Sequence, residues 1–196
     1  MCFGISIYNY NKLSELTELE LIKGCIKKDL KCQRLLFDRY AGKMMTVCLR
    51  YACDQKEAED ILQESFTRIF SFIDQYRFEG SFDGWIKRIV VNCALRLLQN
   101  RKIRFVEITE NLHEEPLIDS NALANFNVKE LLKLISSLPD GYRVVFNLHV
   151  IEGYDHNEIA EMLNIKPATS RSQLLKARKV LQAKIETLQK LPNGYI

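Results

Sequence analysis

Apolar residues recur along this chain at helical spacing. In EAEDILQESFTRIFSFIDQY (57–76), Ala58, Ile61, Leu62, Ser65, Phe66, Ile69 and Phe70 follow the i, i+3, i+4, i+7 rule. That spacing gathers side chains on one side of a helix and predicts a buried stripe. Glu59, Asp60, Gln63, Glu64, Thr67 and Arg68 fall on the opposite side. The same period runs through ELELIKGCIKKD (18–29), LKCQRLLFDRYAGKMMTVCLRYA (30–52), FDGWIKRIVVNCALRLLQNRK (82–102), VKELLKLISSL (128–138) and YRVVFNLHVIEG (142–153). Start and stop signals bracket these stretches. Thr17 with Glu20, Asp54 with Glu57 and Asp155 with Glu158 have capping-box spacing, and Ser81 stands where an N-cap is needed. Gly153 is placed as a C-cap, and Pro139, Asp140 and Gly141 break the chain before Tyr142. The runs VVF and IVV are short and sit inside helical periodicity, so no strand is expected.

Between about 105 and 125 the periodicity fades. Glu107, Glu110, Glu114, Glu115 and Asp119 lie there without a single Lys or Arg. The expectation is an all-α chain: two small helical domains (12–104 and 127–190) joined by a flexible acidic linker (105–126). The net charge of +3 names no partner, but its distribution is uneven. Residues 81–104 carry Lys87, Arg88, Arg96, Arg101, Lys102 and Arg104 against Asp83 alone; residues 166–190 carry seven cations against Glu186. Two basic blocks around an acidic segment suit a polyanion, although a basic run is commonly just a solvated helix face.

The last stretch sharpens this. Ile159, Ala160, Met162 and Leu163 form the apolar side of a short helix, Asn164 to Pro167 a turn, and Leu174, Ala177 and Leu181 the matching side of the next helix. Opposite that stripe lie Thr169, Ser172, Lys176 and Lys179, flanked by Gln173 and Leu175. A helix-turn-helix needs such a second helix, because short polar side chains reach base edges in a major groove while cations neutralise phosphate.

LPDGYRVVFNLHVIEGYDHNEIAEMLNIKPATSRSQLLKARKVL resembles the C-terminal promoter-binding domain of bacterial sigma factors of the extracytoplasmic-function type. AEDILQESFTRIF resembles that family's polymerase-binding segment, and SFDGWIKRIVVNCALRLLQNRK its strand-separating segment. Together these motifs span roughly residues 20–185 in family order. The resemblance implies a transcription initiation factor. Asp60, Gln63 and Glu64 would dock on core RNA polymerase. Phe82, Lys87, Arg88, Asn92 and Arg96 would hold the melted −10 element, with Trp85 read as core. Thr169, Arg171, Ser172, Gln173 and Lys176 would read the −35 duplex, and Lys179 would meet phosphate. It also implies an anti-sigma partner, membrane-anchored in many members. Three positions depart from the family pattern: Ala168 replaces a common Gly, Ser170 an apolar core-facing residue, and Gln173 a frequent Arg.

No Ser/His/Asp set, paired-carboxylate site or phosphate-cradling glycine loop is present, so binding without catalysis is expected, with no cofactor or metal. His113, His149 and His156 read as surface or locally bonded side chains. Cys2, Cys25, Cys32, Cys48, Cys53 and Cys93 form no C-x-x-C pair and suit a reducing cytoplasm. MCFGISIYNYNKL lacks the pattern of a signal peptide, and no apolar run is long enough to insert in a membrane. Two rivals remain at this point: a stand-alone helix-turn-helix regulator of operator duplex, and a helical adaptor acting through its acidic linker and the Asp60 face.

Overall fold

The computed structural model describes residues 16–100 and 128–190. The acidic linker, His113, Cys2, the N-terminal stretch and the cations at 101, 102 and 104 lie outside the described residues. Among the described residues there is no strand. In chain order the helices are α1 (Glu18–Ile26), α2 (Leu30–Tyr51), α3 (Gln55–Phe72), α4 (Phe82–Asn100), α5 (Val128–Ser136), α6 (Asp140–Phe146), α7 (His156–Leu163) and α8 (Pro167–Lys190). A 3₁₀ turn (Ile73–Gln75) follows α3, and a π-helical segment (Asn147–Ile151) continues α6. The chain divides into two compact units, Met1–Cys48 with Lys56–Cys93 and Leu49–Gln55 with Ala94–Ile196.

In the first unit, α1 starts on the expected capping box. Thr17 Oγ1 accepts the Glu20 N–H at 3.3 Å, and Glu20 accepts the Thr17 N–H at 2.8 Å. The α3 stripe is buried as its period predicts, with Ala58, Ile61, Leu62, Phe66 and Ile69 inside and Phe70 half-buried. Ser65 sits in that stripe at no cost in hydrogen bonding, since its hydroxyl donates to the Ile61 carbonyl at 2.6 Å. Ser81 caps α4 by accepting the Gly84 N–H at 3.1 Å. Burial pushes the Cys25 thiol up to about 12, so it behaves as the small hydrophobe its neighbours suggested.

In the second unit, α8 packs on α6 and α7. Asp155 caps α7 by accepting the N–H groups of Asn157 and Glu158 at 2.7 and 2.9 Å, and these two donors hold its carboxyl below the usual carboxylate range. Asn164, at φ 53°, ends α7, and Pro167 opens α8 in the position where its missing N–H costs nothing. The turn between them is thus one residue shorter than the sequence suggested. Gly153, at φ 83°, takes the left-handed conformation that reverses the chain after the π segment. Arg143 is the largest fully buried side chain here. Its guanidinium donates to the carbonyls of Ser136 and Leu138 at 3.0 and 3.2 Å and to Asp140 at 2.6 Å, tying the α5–α6 connection.

Candidate nucleic-acid interface

Trp85, Arg88, Asn92 and Arg96, spaced three and then four residues apart, lie on one strip of α4. Arg88, Asn92 and Arg96 are exposed and Trp85 is half-buried, while Ile86, Val90, Val91, Cys93 and Ala94 face the core. One helix face therefore carries an aromatic ring, two guanidiniums and an amide in line. Guanidiniums can follow a phosphate chain, and the amide can both donate and accept at a base edge. Lys87 lies beside this strip, half-buried.

Phe82 is not on it. The structure corrects its expected stacking role, because Phe82 is 1% exposed and enclosed by aromatic rings. Tyr40 and Tyr76 meet it edge-on at 5.6 and 5.1 Å, and Trp85 stacks on it at 5.6 Å. Its period-3.6 position on the apolar side of α4 decides its place; being aromatic does not bring it to solvent.

The turn before α4 supplies an aromatic that the sequence reading passed over as part of RFEGS. Phe78 is 50% exposed and adopts φ 61°, a conformation that a bulky residue enters only at a cost of about 1–2 kcal/mol. Two contacts hold it. Its ring lies 4.8 Å from that of Tyr76, and the Tyr76 hydroxyl donates to the Gly80 carbonyl at 2.8 Å, with Gly80 also left-handed at φ 88°. Tyr76 in turn touches Trp85 at 5.5 Å. An open ring is thus anchored on Tyr76, which itself touches the first residue of the strip. The sequence signal was available: an aromatic immediately before Glu-Gly in a turn has no core to enter.

On α3, Asp60, Gln63 and Glu64 are all exposed on the face opposite the buried stripe. Glu64 accepts from Arg68 Nε at 2.6 Å, a surface pair one turn apart that contributes little and exchanges readily for another partner.

In the second unit the expected −35 residues separate into two groups. Arg171 and Lys179 are exposed and Lys176 is half-buried. Thr169, Ser172 and Gln173 are buried, at 5%, 7% and 1% exposure, against the expectation that they share the open face. Ser172 donates to the Thr169 carbonyl at 2.9 Å, so its hydroxyl is engaged within its own helix. Lys184, counted in the basic block, donates to Ser137 through its carbonyl at 3.2 Å and its hydroxyl at 2.6 Å. The free cations of α8 are fewer than the charge count implied. His149 and His156, read as separate side chains, are stacked with ring centroids 4.4 Å apart.

Comparison with known proteins matches two separate stretches of the chain to two family models. Residues 36–103 match the Sigma-70 region 2 family model, and residues 129–181 match Sigma-70 region 4. The chain is 27% identical over 186 residues to the ECF RNA polymerase sigma-E factor of Haemophilus influenzae, covering 89% of this chain and 98% of that protein. It is 28% identical over 187 residues to the sigma-E factor of Escherichia coli K12, covering 89% and 97%. A solved structure of the sigma factor RpoE with the anti-sigma factor NepR from Bartonella quintana overlaps it with a TM-score of 0.48 at 15% identity, covering 80% of this chain and 98% of that one.

Proposed function

Because the chain belongs to the sigma-70 family, as a sigma factor of the extracytoplasmic-function type, we propose that it carries core RNA polymerase to promoters through three separate surfaces. The exposed Asp60, Gln63 and Glu64 of α3 dock on the polymerase. The Trp85–Arg88–Asn92–Arg96 strip of α4, with Lys87 beside it and the exposed Phe78 of the preceding turn linked to it through Tyr76, holds the −10 element as its bases unstack. Arg171, Lys176 and Lys179 of α8 meet the −35 duplex. Thr169, Ser172 and Gln173 can read bases only in a state that uncovers them. On this reading residues 12–104 form the melting and docking domain, 105–126 the linker and 127–190 the −35 domain. The reading rests chiefly on the α4 strip, where an amide flanked by guanidiniums and exposed aromatic surface fits single-stranded nucleic acid. A stand-alone operator-binding regulator would have no use for that strip or for a region 2 module.

The protein works by binding, without catalysis. An anti-sigma protein is its proposed antagonist, membrane-anchored in many members of the family. We place its action in the cytoplasm with polymerase; no helix among the described residues is long and apolar enough to cross a membrane.

The test begins with selection of duplexes from a random pool by the chain loaded on core polymerase, followed by transcription from the enriched sequence. Failure to enrich any sequence overturns the reading. On the enriched promoter, Phe78→Ala keeps the fold and the duplex contact but weakens the open complex by about 1–3 kcal/mol, the worth of one base stacked on an aromatic ring. Permanganate footprinting of unpaired thymines measures this. Lys176→Ala lowers duplex affinity uniformly and reduces the slope of log K against log salt by about one unit. A titration with unchanged affinity and slope would remove Lys176 from the interface.

A further inference from the structure

We propose that His156 is a positioning residue for α8: it docks the reading helix through the buried Ser170 hydroxyl and loosens that docking when its imidazole takes a proton. The proposal rests on the reading of α8 as the −35 helix for its consequence in transcription, but its structural half stands on the second unit alone.

His156 is the first residue of α7, and its Nδ1 lies 2.9 Å from Ser170 Oγ in α8. Ser170 is fully buried, so its hydroxyl needs a partner inside the protein. It stands where the sigma-factor resemblance carries an apolar side chain, and His156 answers that polar substitution directly. The next residue along α8 is the exposed Arg171. A shift in the Ser170 anchor therefore moves a side chain that faces DNA.

The other side of the His156 ring is closed by His149 from the π segment, tilted only 12° from parallel at 4.4 Å. His149 Nδ1 faces the Tyr154 carbonyl at 2.9 Å; a carbonyl only accepts, so that nitrogen carries a hydrogen and orients the ring. Two neutral rings stack in this way comfortably, whereas two imidazoliums repel. The charged and titratable groups facing His156 are Asp155 from the cap of its own helix, His149 from the π segment, and Arg171 and Arg178 from α8. Burial disfavours the imidazolium most; His149, Arg171 and Arg178 disfavour it further, and only Asp155 favours it. The N-terminal end of the α7 dipole also opposes a cation at this position. Together these hold the His156 pKa below the ordinary imidazole value.

The sign follows. A depressed histidine pKa means that the unfolded chain binds the proton more readily than the folded unit. The contact is complete above the ordinary histidine pKa and is lost as pH falls through the lower folded value. In this proposal the neutral ring takes the tautomer in which Nδ1 accepts from the Ser170 hydroxyl; on protonation Nδ1 can only donate, and that hydrogen bond is broken.

The experiment is an NMR titration of the ¹⁵N-labelled full-length chain between about pH 5 and 8, the range in which imidazoles ionise. Wild type, Ser170→Ala and His156→Phe (which keeps a ring for the stack) are compared. The expected result is a His156 titration below the ordinary value, with the Ser170 and Arg171 amides following the same curve. In Ser170→Ala the His156 curve persists while the Arg171 amide ceases to follow it. For a duplex enriched by the wild-type chain, acidification weakens wild-type binding relative to His156→Phe by at least about threefold. Amides that ignore the His156 curve, or a His156 that titrates at or above the ordinary value, overturn the proposal even if His156→Phe fails to fold. Amides that follow the curve in a chain that binds no duplex at any pH overturn the reading of α8 as the −35 helix, and with it the transcriptional consequence, while the docking contact stands.

Discussion

Replacing Asp60, Gln63 and Glu64 together by lysine abolishes co-elution with core RNA polymerase while leaving the protein folded. All three side chains are exposed on α3, so no core contact is lost. Within the chain the variant gives up the Glu64–Arg68 pair, worth about 0.3–0.5 kcal/mol for residues one helical turn apart. Across an interface the balance is different. Truncating one partner of a desolvated charge pair costs about 2–5 kcal/mol, and reversal adds repulsion to that loss. Even the lower figure weakens binding about thirtyfold, enough to separate the two proteins on a sizing column. Thermal unfolding of the variant, run in parallel, distinguishes lost docking from lost structure. Wild-type co-elution by the variant would move the docking surface away from this face.

Arg143→Met destabilises the second unit by about 3–5 kcal/mol, because the carbonyls and the carboxylate around the buried guanidinium lose their donor together. The guanidinium, 2% exposed, joins Ser136, Leu138 and Asp140, and the substitution strips both carbonyls of a donor at once. Arg143→Lys recovers only part of the loss, because one ammonium does not reproduce the planar fork. Hydrogen exchange at the amides of α6 and α8 reads the effect directly. Polymerase capture through α3 survives the substitution, whereas binding to an enriched duplex does not. Protection within about 1 kcal/mol of wild type would show that the carbonyls are satisfied without the guanidinium.

Much of this architecture was legible because helices declare themselves locally. The α3 stripe, the caps at Thr17, Ser81 and Asp155, and the left-handed Gly153 all follow from spacing and single-residue chemistry. The exposed Asp60, Gln63 and Glu64 were found by the same angular argument, and the exposed Arg88, Asn92 and Arg96 by the family resemblance. What the pattern missed depends on neighbours from elsewhere in the chain. Phe82 and Phe78 are chemically alike and four residues apart, yet the first enters a cluster formed with Tyr40 and Tyr76 and the second has no pocket to enter. Thr169 and Ser172 were placed outside, with Gln173 at the flank, by the angle around α8 from its apolar stripe. All three are buried, because a wheel of one helix does not show how much of it α6 and α7 cover. His149 and His156 are separated by a turn and a helix start, so only the fold brings their rings together. Arg143 reads in sequence as one more surface cation until the carbonyls around it are seen.

The π segment after α6 accounts for one of these omissions. Glu152 donates back to the Asn147 carbonyl at 3.0 Å, five residues earlier, where a regular helix would reach four. Residue number and angle around the axis fall out of step by one position there, a rotation of about 100°. Leu148 keeps its place in the core while His149 swings toward α7. A helical wheel drawn with constant pitch through residues 140–151 therefore assigns its last turn to the wrong compass bearing. The segment acts as a phase adjuster: one surplus residue resets the direction in which the end of the helix looks, without lengthening the core beneath it.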